Sequence, residues 1–168
     1  MPSRAAKVTN AVAPKASRPQ MGAYGIPGDT KGLLPWKWAA QRLERSHNYW
    51  LVTAGPDGDP HVMPIWGVWI DGSFWFSTGA KSRKARNLAQ NVRCSVCNEK
   101  AHEAVIVQGA AQQVRPAAVP REVSSAYQKK YGWKLDPKIG LIFAVRPRVV
   151  FGFWEEKFLE KATRWRFD

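Results

Sequence analysis

Apolar and polar residues follow the two-residue period of β-strands in most of the chain. In Ser73–Thr78, Phe74 and Phe76 share one face and Trp75 lies on the other, as expected of a strand. The pair Asp71-Gly72 before it is typical of a hairpin turn. Strands are also predicted over residues 48–54, 60–70, 93–98, 103–114, 141–145, 148–154 and 163–167, with the runs 141–145 and 148–154 as a pair and with a bulge at Gly109.

Three segments instead have helical character: residues 35–47, 83–90 and 119–131. In the first, apolar residues such as Trp36 and Leu43 recur at helical spacing. Six or seven of these strands are predicted to form the barrel, joined mostly as hairpins. The pattern therefore predicts one mainly β domain of the α+β class, a closed antiparallel barrel with peripheral helices.

The predicted strand over residues 60–70 is unusual because it is apolar on both faces. Each face of such a strand must be covered by other parts of the structure. In a small barrel one face fills the interior, and the other then needs a helix, a second subunit or a flat ligand. Pro64 cannot donate a ladder hydrogen bond and Gly67 weakens the ladder, so we predict an edge or a break there. Backbone groups left free at a break could bind the edge of a ligand ring.

A basic segment follows the strand Ser73–Thr78 and opens the second predicted helix. Four of the six residues from Lys81 to Arg86 are basic, and Ser82 stands where an N-cap is expected. Cations such as Arg83 and Lys84 destabilise the positive end of a helix dipole. Together with the free backbone N–H groups they suit a bound phosphate. The segment therefore predicts an anion site, with Lys81 and Arg86 as solvated charges at its rim.

The net charge of +13 comes partly from the N-terminal segment. Residues 1–31 are predicted to be a largely disordered basic tail, mobile up to about Gln20, and residues 32–168 a single domain. The tail lacks the apolar core of a secretory signal, and no run is long enough to cross a membrane. We therefore expect a cytoplasmic protein without membrane contact.

The two cysteines, Cys94 and Cys97, form a C-x-x-C sequence inside a predicted strand. Residues three apart on a strand point to opposite faces, and no second pair of metal ligands follows at suitable spacing. We interpret them as reduced thiols and predict no metal site.

Several motifs together resemble a known family. They are Leu34-Pro-Trp-Lys-Trp38, Tyr49-Trp-Leu-Val-Thr53, Asp57-Gly-Asp-Pro-His-Val-Met-Pro-Ile-Trp-Gly-Val-Trp69, Phe76-Ser-Thr78, Lys81-Ser-Arg-Lys-Ala-Arg-Asn-Leu88, Val107-Gln-Gly109, Tyr127-Gln-Lys-Lys-Tyr131 and Thr163-Arg-Trp-Arg-Phe167. This set, from about Gly32 to the end, resembles the split β-barrel family typified by pyridoxamine 5'-phosphate oxidase. It is most similar to the actinobacterial flavin/deazaflavin oxidoreductases. The resemblance implies the FMN-binding type of split barrel and a homodimer with the cofactor in a groove between the subunits.

The resemblance also implies which residues bind the cofactor. Ser82, Arg83 and Lys84 match phosphate contacts. Ser77 and Thr78 match positions beside the ribityl chain and the ring. The remaining matches are the ring-lining strand, a helix position and a C-terminal motif: Pro64, Ile65, Trp66, Asn87, Arg164 and Trp165. The deazaflavin, coenzyme F-420, is favoured over FMN.

No nucleophile, P-loop or metal-protease motif is present in the sequence, so an enzyme of this kind takes its chemistry from a cofactor. The resemblance implies an oxidoreductase that transfers a hydride between the cofactor and a small organic substrate, and no catalytic residue is assigned. A non-catalytic carrier of a cofactor or haem is the alternative. A nucleic-acid-binding barrel is less favoured, because the aromatic residues lie mostly at strand positions that look buried.

Overall fold

A computed structural model describes residues 13–168 of the chain. Every strand pairing in this part is antiparallel. The nine strands are β1 (Lys15–Ser17), β2 (Tyr49–Ala54), β3 (Pro60–Ile65), β4 (Gly67–Ile70), β5 (Ser73–Thr78), β6 (Arg93–Asn98), β7 (Glu103–Val114), β8 (Leu141–Trp154) and β9 (Thr163–Arg166).

The strands form one sheet in the order β1-β9-β8-β7-β6-β2-β3, and β5 adds β4 to the first half of β8. Only Trp66 separates β3 from β4, so the chain passes there from one end of the sheet to the other and closes the barrel. This architecture confirms the predicted split barrel. The strand number is nine instead of six or seven, partly because the predicted strand 60–70 is split at Trp66.

The prediction of two paired strands over residues 141–154 was wrong, because β8 is one continuous strand of 14 residues. Pro147 stands in the gap between the two predicted strands and has no N–H to donate. In the structure it lies at a bulge, where the register of β7 against β8 shifts between Gln108 and Gly109. A bulge accommodates a missing donor and bends the strand without ending it. The predicted bulge at Gly109 is confirmed.

In the described part of the chain four α-helices surround the barrel: α1 (Trp36–Arg45), α2 (Arg83–Gln90), α3 (Arg121–Tyr131) and the short α4 (Phe158–Lys161), which the sequence pattern did not predict. Inward-facing side chains such as Leu51, Phe76 and Val107 fill the interior and are almost fully buried. Within residues 13–168 no helix has both the length and the apolarity that a membrane crossing requires.

The N-terminal segment differs from the predicted mobile tail. Residues 1–12 lie outside the described part, but β1 pairs with β9 and adds an edge strand to the sheet. Arg18 is buried, and its guanidinium donates to the backbone carbonyls of Asp29, Lys31, Glu160 and Ala162. Its partners in the C-terminal segment lie 142 and 144 residues away along the chain, so composition alone gave no sign of this docking.

Candidate functional site

The start of α2 is held in place by side-chain hydrogen bonds. The Ser82 hydroxyl caps the helix by accepting from the Ala85 N–H at 3.2 Å, and it lies 3.1 Å from the hydroxyl of Thr78 at the end of β5. Asn87 is buried and donates through Nδ2 to the Thr53 hydroxyl at 3.0 Å. The Ser82 contacts hold the helix N-terminus at the end of β5. The hydrogen bond from Asn87 attaches the buried side of α2 to Thr53 of β2.

Two basic side chains project from this helix start. Arg83 is exposed and Lys84 half-buried. Among residues 13–168 the ion pairs are Arg18–Asp29 and Arg42–Glu103, so neither cation has a carboxylate within 4.0 Å there. The His61 imidazole on β3 lies close by: desolvation lowers its pKa, and the positive charges of Arg83 and Lys84 lower it further. The site is therefore positively charged and suited to an anion.

Beside these cations, β3 presents an open edge. It pairs with β2, and no strand of the described chain covers its other side. Pro60 and Pro64 reduce the number of free N–H groups on this edge, as expected of edge strands. Pro64 is exposed, whereas the Ile65 side chain is 9% exposed and belongs to the core. Of the predicted match of Ile65 to a ring-lining position, only its backbone can face a ligand, because its side chain packs in the core.

The break between β3 and β4 is filled by residues of α3. The Gly67 N–H donates to the Tyr131 hydroxyl at 2.9 Å, and the Gly67 carbonyl accepts from Lys130 Nζ at 2.9 Å. The Tyr131 hydroxyl also lies 2.7 Å from the His47 carbonyl. The expectation that this break leaves backbone groups free for a ligand is therefore wrong at Gly67, because α3 satisfies both of them.

Lys130 and Tyr131 of α3 also position the exposed ring of Trp66. Trp66 stacks on Tyr131 with a centroid distance of 4.6 Å and an interplanar angle of 7°, and 40% of its surface is exposed. Lys130 donates to the Tyr49 hydroxyl at 2.8 Å, and burial lowers its pKa to about 8. Both residues belong to the motif Tyr127-Gln-Lys-Lys-Tyr131, for which the resemblance implied no role in the site.

A cleft of about 240 Å³ opens beside Trp66. Trp66, Ser77 and Thr78 line it from the barrel, and Tyr127 and the loop of residues 133–140 line it from the other side. Thus the structure brings together three of the predicted residues, and Thr78 connects them to Ser82. Trp133, which is 65% exposed, also lines this cleft. Trp133 was not predicted as a site residue because it lies outside every predicted helix, strand and motif.

Trp165 does not belong to this site. It is 1% exposed and packs in the core, where its ring lies 5.5 Å from that of Trp36 in an edge-to-face arrangement. Arg164 is half-buried, and its Nε donates to the Ser17 hydroxyl at 3.1 Å. Both residues therefore serve the packing of β9 in this chain, and the assignment of Trp165 to cofactor binding is corrected.

The thiols of Cys94 and Cys97 are free. Cys94 is buried, and burial raises its pKa to about 12. Cys97 is half-buried, and burial raises its pKa as well. Neither thiol therefore has the low pKa of a reactive cysteine.

The fold and the site define a split β-barrel protein with a basic helix N-terminus beside an open strand edge and an exposed aromatic ring. Residues 37–153 match the family model described as pyridoxamine 5'-phosphate oxidase. This match covers more than half of the chain, so the protein belongs to that family, as the sequence motifs indicated.

Solved structures of similar fold have mixed functions. A conserved hypothetical protein from Mycobacterium tuberculosis is 25% identical, with a TM-score of 0.65 over 77% of this chain and 90% of that one. An F-420 reductase is 23% identical, with a TM-score of 0.52 over 66% and 93%. The heme storage protein HutZ from Vibrio cholerae is 18% identical, with a TM-score of 0.55 over 67% and 87%. No curated protein matches the chain in sequence.

Proposed function

We propose that this protein is a flavin- or deazaflavin-dependent oxidoreductase that transfers a hydride between a bound cofactor and a small organic substrate. The observation that carries the proposal is the position of Arg83 and Lys84. These cations are unpaired within the described chain, and they flank a capped helix N-terminus beside the open edge of β3. A phosphate bound there would leave the rest of a flavin-like molecule to extend along the strand toward Trp66.

The residues present fit such a cofactor in three ways. Arg83, Lys84 and the backbone N–H groups at the start of α2 would hold the phosphate through charge-assisted hydrogen bonds. The hydroxyls of Ser77 and Thr78 would face the linking chain. Trp66 would pack against the ring. When bound, the cofactor supplies the redox chemistry.

The protein's own contribution is positioning. Tyr131 and Lys130 hold the strand break and thereby fix Trp66, so that a ring beside it has a defined place. Tyr127 and Trp133 line the other side of the cleft, where a small organic substrate would enter. F-420 is our favoured cofactor and FMN the next. The anionic tail of F-420 suits a chain with a net charge of +13, and one protein of similar fold is an F-420 reductase.

We further propose that the protein is a homodimer. The outer surface of the sheet carries an apolar sheet face, which we define as Trp50, Val62, Ile106, Phe151 and Phe153. Trp50 is 47% exposed and Val62 is 51% exposed. The strand register places Trp50, Ile106 and Phe151 in one row across the sheet. A contiguous apolar surface of this kind is typical of a protein interface. A second copy on this face would cover the doubly apolar strand predicted over residues 60–70.

The first test is the double substitution Arg83→Ala with Lys84→Ala. If both side chains bind the phosphate, the affinity for F-420 or FMN should fall by about 3 kcal/mol, or roughly 100-fold in Kd. Fluorescence titration of the purified protein with each cofactor measures this. The matched control is Lys81→Ala with Arg86→Ala, which removes the same charge from the rim. It should change Kd by less than about 5-fold, because these two side chains are expected at the rim without direct contact to the phosphate, and their longer-range attraction is screened.

A second readout, the pKa of His61, helps to decide the outcome of this test. In the Arg83→Ala, Lys84→Ala variant the pKa of His61 should rise, because two cations that disfavour its protonated form are gone. An NMR titration of the imidazole detects this and shows that the site was altered. If Kd is unchanged while the His61 pKa rises, the phosphate lies elsewhere. If wild-type protein binds neither cofactor saturably, the oxidoreductase proposal is wrong.

The dimer is tested with Val62→Glu. A carboxylate on the apolar sheet face would have to be desolvated at the interface, so we expect a monomer by sedimentation equilibrium where the wild-type protein is a dimer. Val92→Glu is the matched control, since Val92 is 50% exposed and lies outside this face. A wild-type monomer, or a Val62→Glu dimer as stable as the wild type, would contradict the proposal.

A haem carrier is the second candidate function. The similar fold of a heme storage protein and the presence of His61 beside the candidate site favour it. Titration with haemin in the same experiment distinguishes the two functions. A shifted Soret band that is lost in His61→Ala, without saturable binding of F-420 or FMN, would favour the carrier.

A further inference from the structure

A second basic cleft lies on the outer surface of the sheet, near the C-terminal end of α2. It has a volume of about 250 Å³, and the arginine side chains of β6 and β8, Arg93 and Arg148, line it together with Asn91, Ser95 and Gln108. We call it the arginine cleft. Both arginines are exposed in the single chain, and among residues 13–168 no acidic residue lines the cleft. The cleft adjoins the apolar sheet face proposed as the dimer contact, because its residue Val52 pairs with Val62.

The bulge between β7 and β8 determines where Arg148 lies. Gln108 pairs with Val149 and Gly109 pairs with Pro147, so Arg148 is the extra residue without a partner on β7. Bulges of this kind redirect a side chain and often adjoin functional sites. The bulge also depends on Gly109, since a Cβ there would lie 2.9 Å from the carbonyl carbon of Arg146. As a result, Arg148 shares one cleft with Arg93, although the two belong to strands on either side of β7.

The polar groups of the cleft are available as donors. Within residues 13–168 neither guanidinium has a carboxylate within 4.0 Å. The Asn91 side-chain oxygen accepts from the Arg93 N–H at 3.2 Å, which leaves the amide NH2 of Asn91 as a donor. Ser95 and Gln108 add a hydroxyl and a second amide. Two guanidinium groups surrounded by neutral donors match the oxygen atoms of a phosphate or carboxylate.

We infer that the arginine cleft binds an oxyanion, the phosphate or carboxylate group of a small metabolite, at a site separate from the one proposed for the cofactor. Asn91 is the C-cap of α2, whereas Arg83 and Lys84 stand at its N-terminus. An eight-residue helix is about 12 Å long, so one phosphate cannot contact both groups. The inference does not depend on the proposed oxidoreductase function.

The test is calorimetric titration of the full chain at low ionic strength, with inorganic phosphate in one arm and citrate in the other. Arg93→Ala with Arg148→Ala should weaken binding by about 10-fold or more. The matched control is Arg115→Ala with Arg121→Ala, which removes the same charge from exposed positions outside the cleft. Gln108→Glu retains both arginines and places a carboxylate in the cleft, so it should weaken binding as well.

The variants separate the possible results. Loss of binding in Arg93→Ala, Arg148→Ala and in Gln108→Glu, with retention in Arg83→Ala, Lys84→Ala, supports the inference. Stronger binding of phosphate than of citrate, or the reverse, identifies the group that the cleft takes. Equal effects of the cleft and control substitutions would show a nonspecific effect of charge and overturn it, as would loss of all binding in Arg83→Ala, Lys84→Ala. Circular dichroism of each variant verifies that it is folded.

Discussion

Replacing Arg18 by alanine should lower the free energy of unfolding by about 3–5 kcal/mol. The guanidinium donates to the carbonyls of Glu160 at 2.7 Å, Asp29 at 2.9 Å and Ala162 at 3.0 Å, and to that of Lys31. These four acceptors lose a charged donor together, and the segment before α1 loses its attachment to the C-terminal segment. Urea denaturation measures the change.

The expected loss of stability depends on the geometry of the Arg18 guanidinium as well as on its charge. Arg18→Lys keeps the charge but has a single nitrogen in place of the guanidinium fork, so its stability should lie between those of wild type and Arg18→Ala. Lys15→Ala in the exposed part of β1 is the matched control and should change stability by less than about 0.5 kcal/mol. Limited proteolysis should cut the segment 13–31 faster in Arg18→Ala. An unfolding change below about 1 kcal/mol would mean that these hydrogen bonds are not formed in solution.

Gly67→Ala should destabilise the protein by about 3 kcal/mol, at the upper end of the range for overpacked sites. The new Cβ would overlap the ring of Phe74 and lie 2.7 Å from the Trp75 carbonyl oxygen. Phe74 is fully buried, so neither the ring nor the backbone can move away easily. Thermal or urea unfolding checks the magnitude.

The same substitution should also alter the candidate site. A displaced Gly67 weakens its bonds to Tyr131 and Lys130, and Trp66 then loses its fixed position. We therefore expect weaker cofactor binding and changed tryptophan fluorescence at temperatures where the variant is still folded. Gly28→Ala is the control, because within residues 13–168 no atom beyond its chain neighbours lies within 4 Å of the added Cβ. Normal stability of Gly67→Ala would contradict the close approach of β4 and β5.

Much of the barrel follows from patterns that operate over a few residues. Phe74 and Phe76 alternate with half-buried neighbours in β5 as predicted. Ser82 caps α2, and the bulge falls at Gly109. Strand alternation, helix capping and bulge glycines depend on neighbouring residues along the chain, so such features can be recognised without the fold.

The errors share a different cause. A break was predicted at residues 146–147, but the bulge opposite Gly109 allows β8 to continue. Trp165 resembled a ligand contact in its motif, but its ring packs against Trp36 in the core. Ile65 was grouped with its exposed neighbours Pro64 and Trp66, although its side chain faces inward. In each case the burial of a side chain depends on elements that are distant in sequence.

The sequence by itself therefore determined the class of fold and the basic start of α2, where Ser82, Arg83 and Lys84 lie together. The tertiary structure alone decided how that helix is surrounded. Tyr131 reaches Gly67 across 64 residues of sequence, and Arg18 reaches Ala162 across 144. It also decided that Arg93 and Arg148, on strands either side of β7, share a cleft. Local patterns record the preferences of the backbone, whereas contacts between distant segments form only when the chain folds.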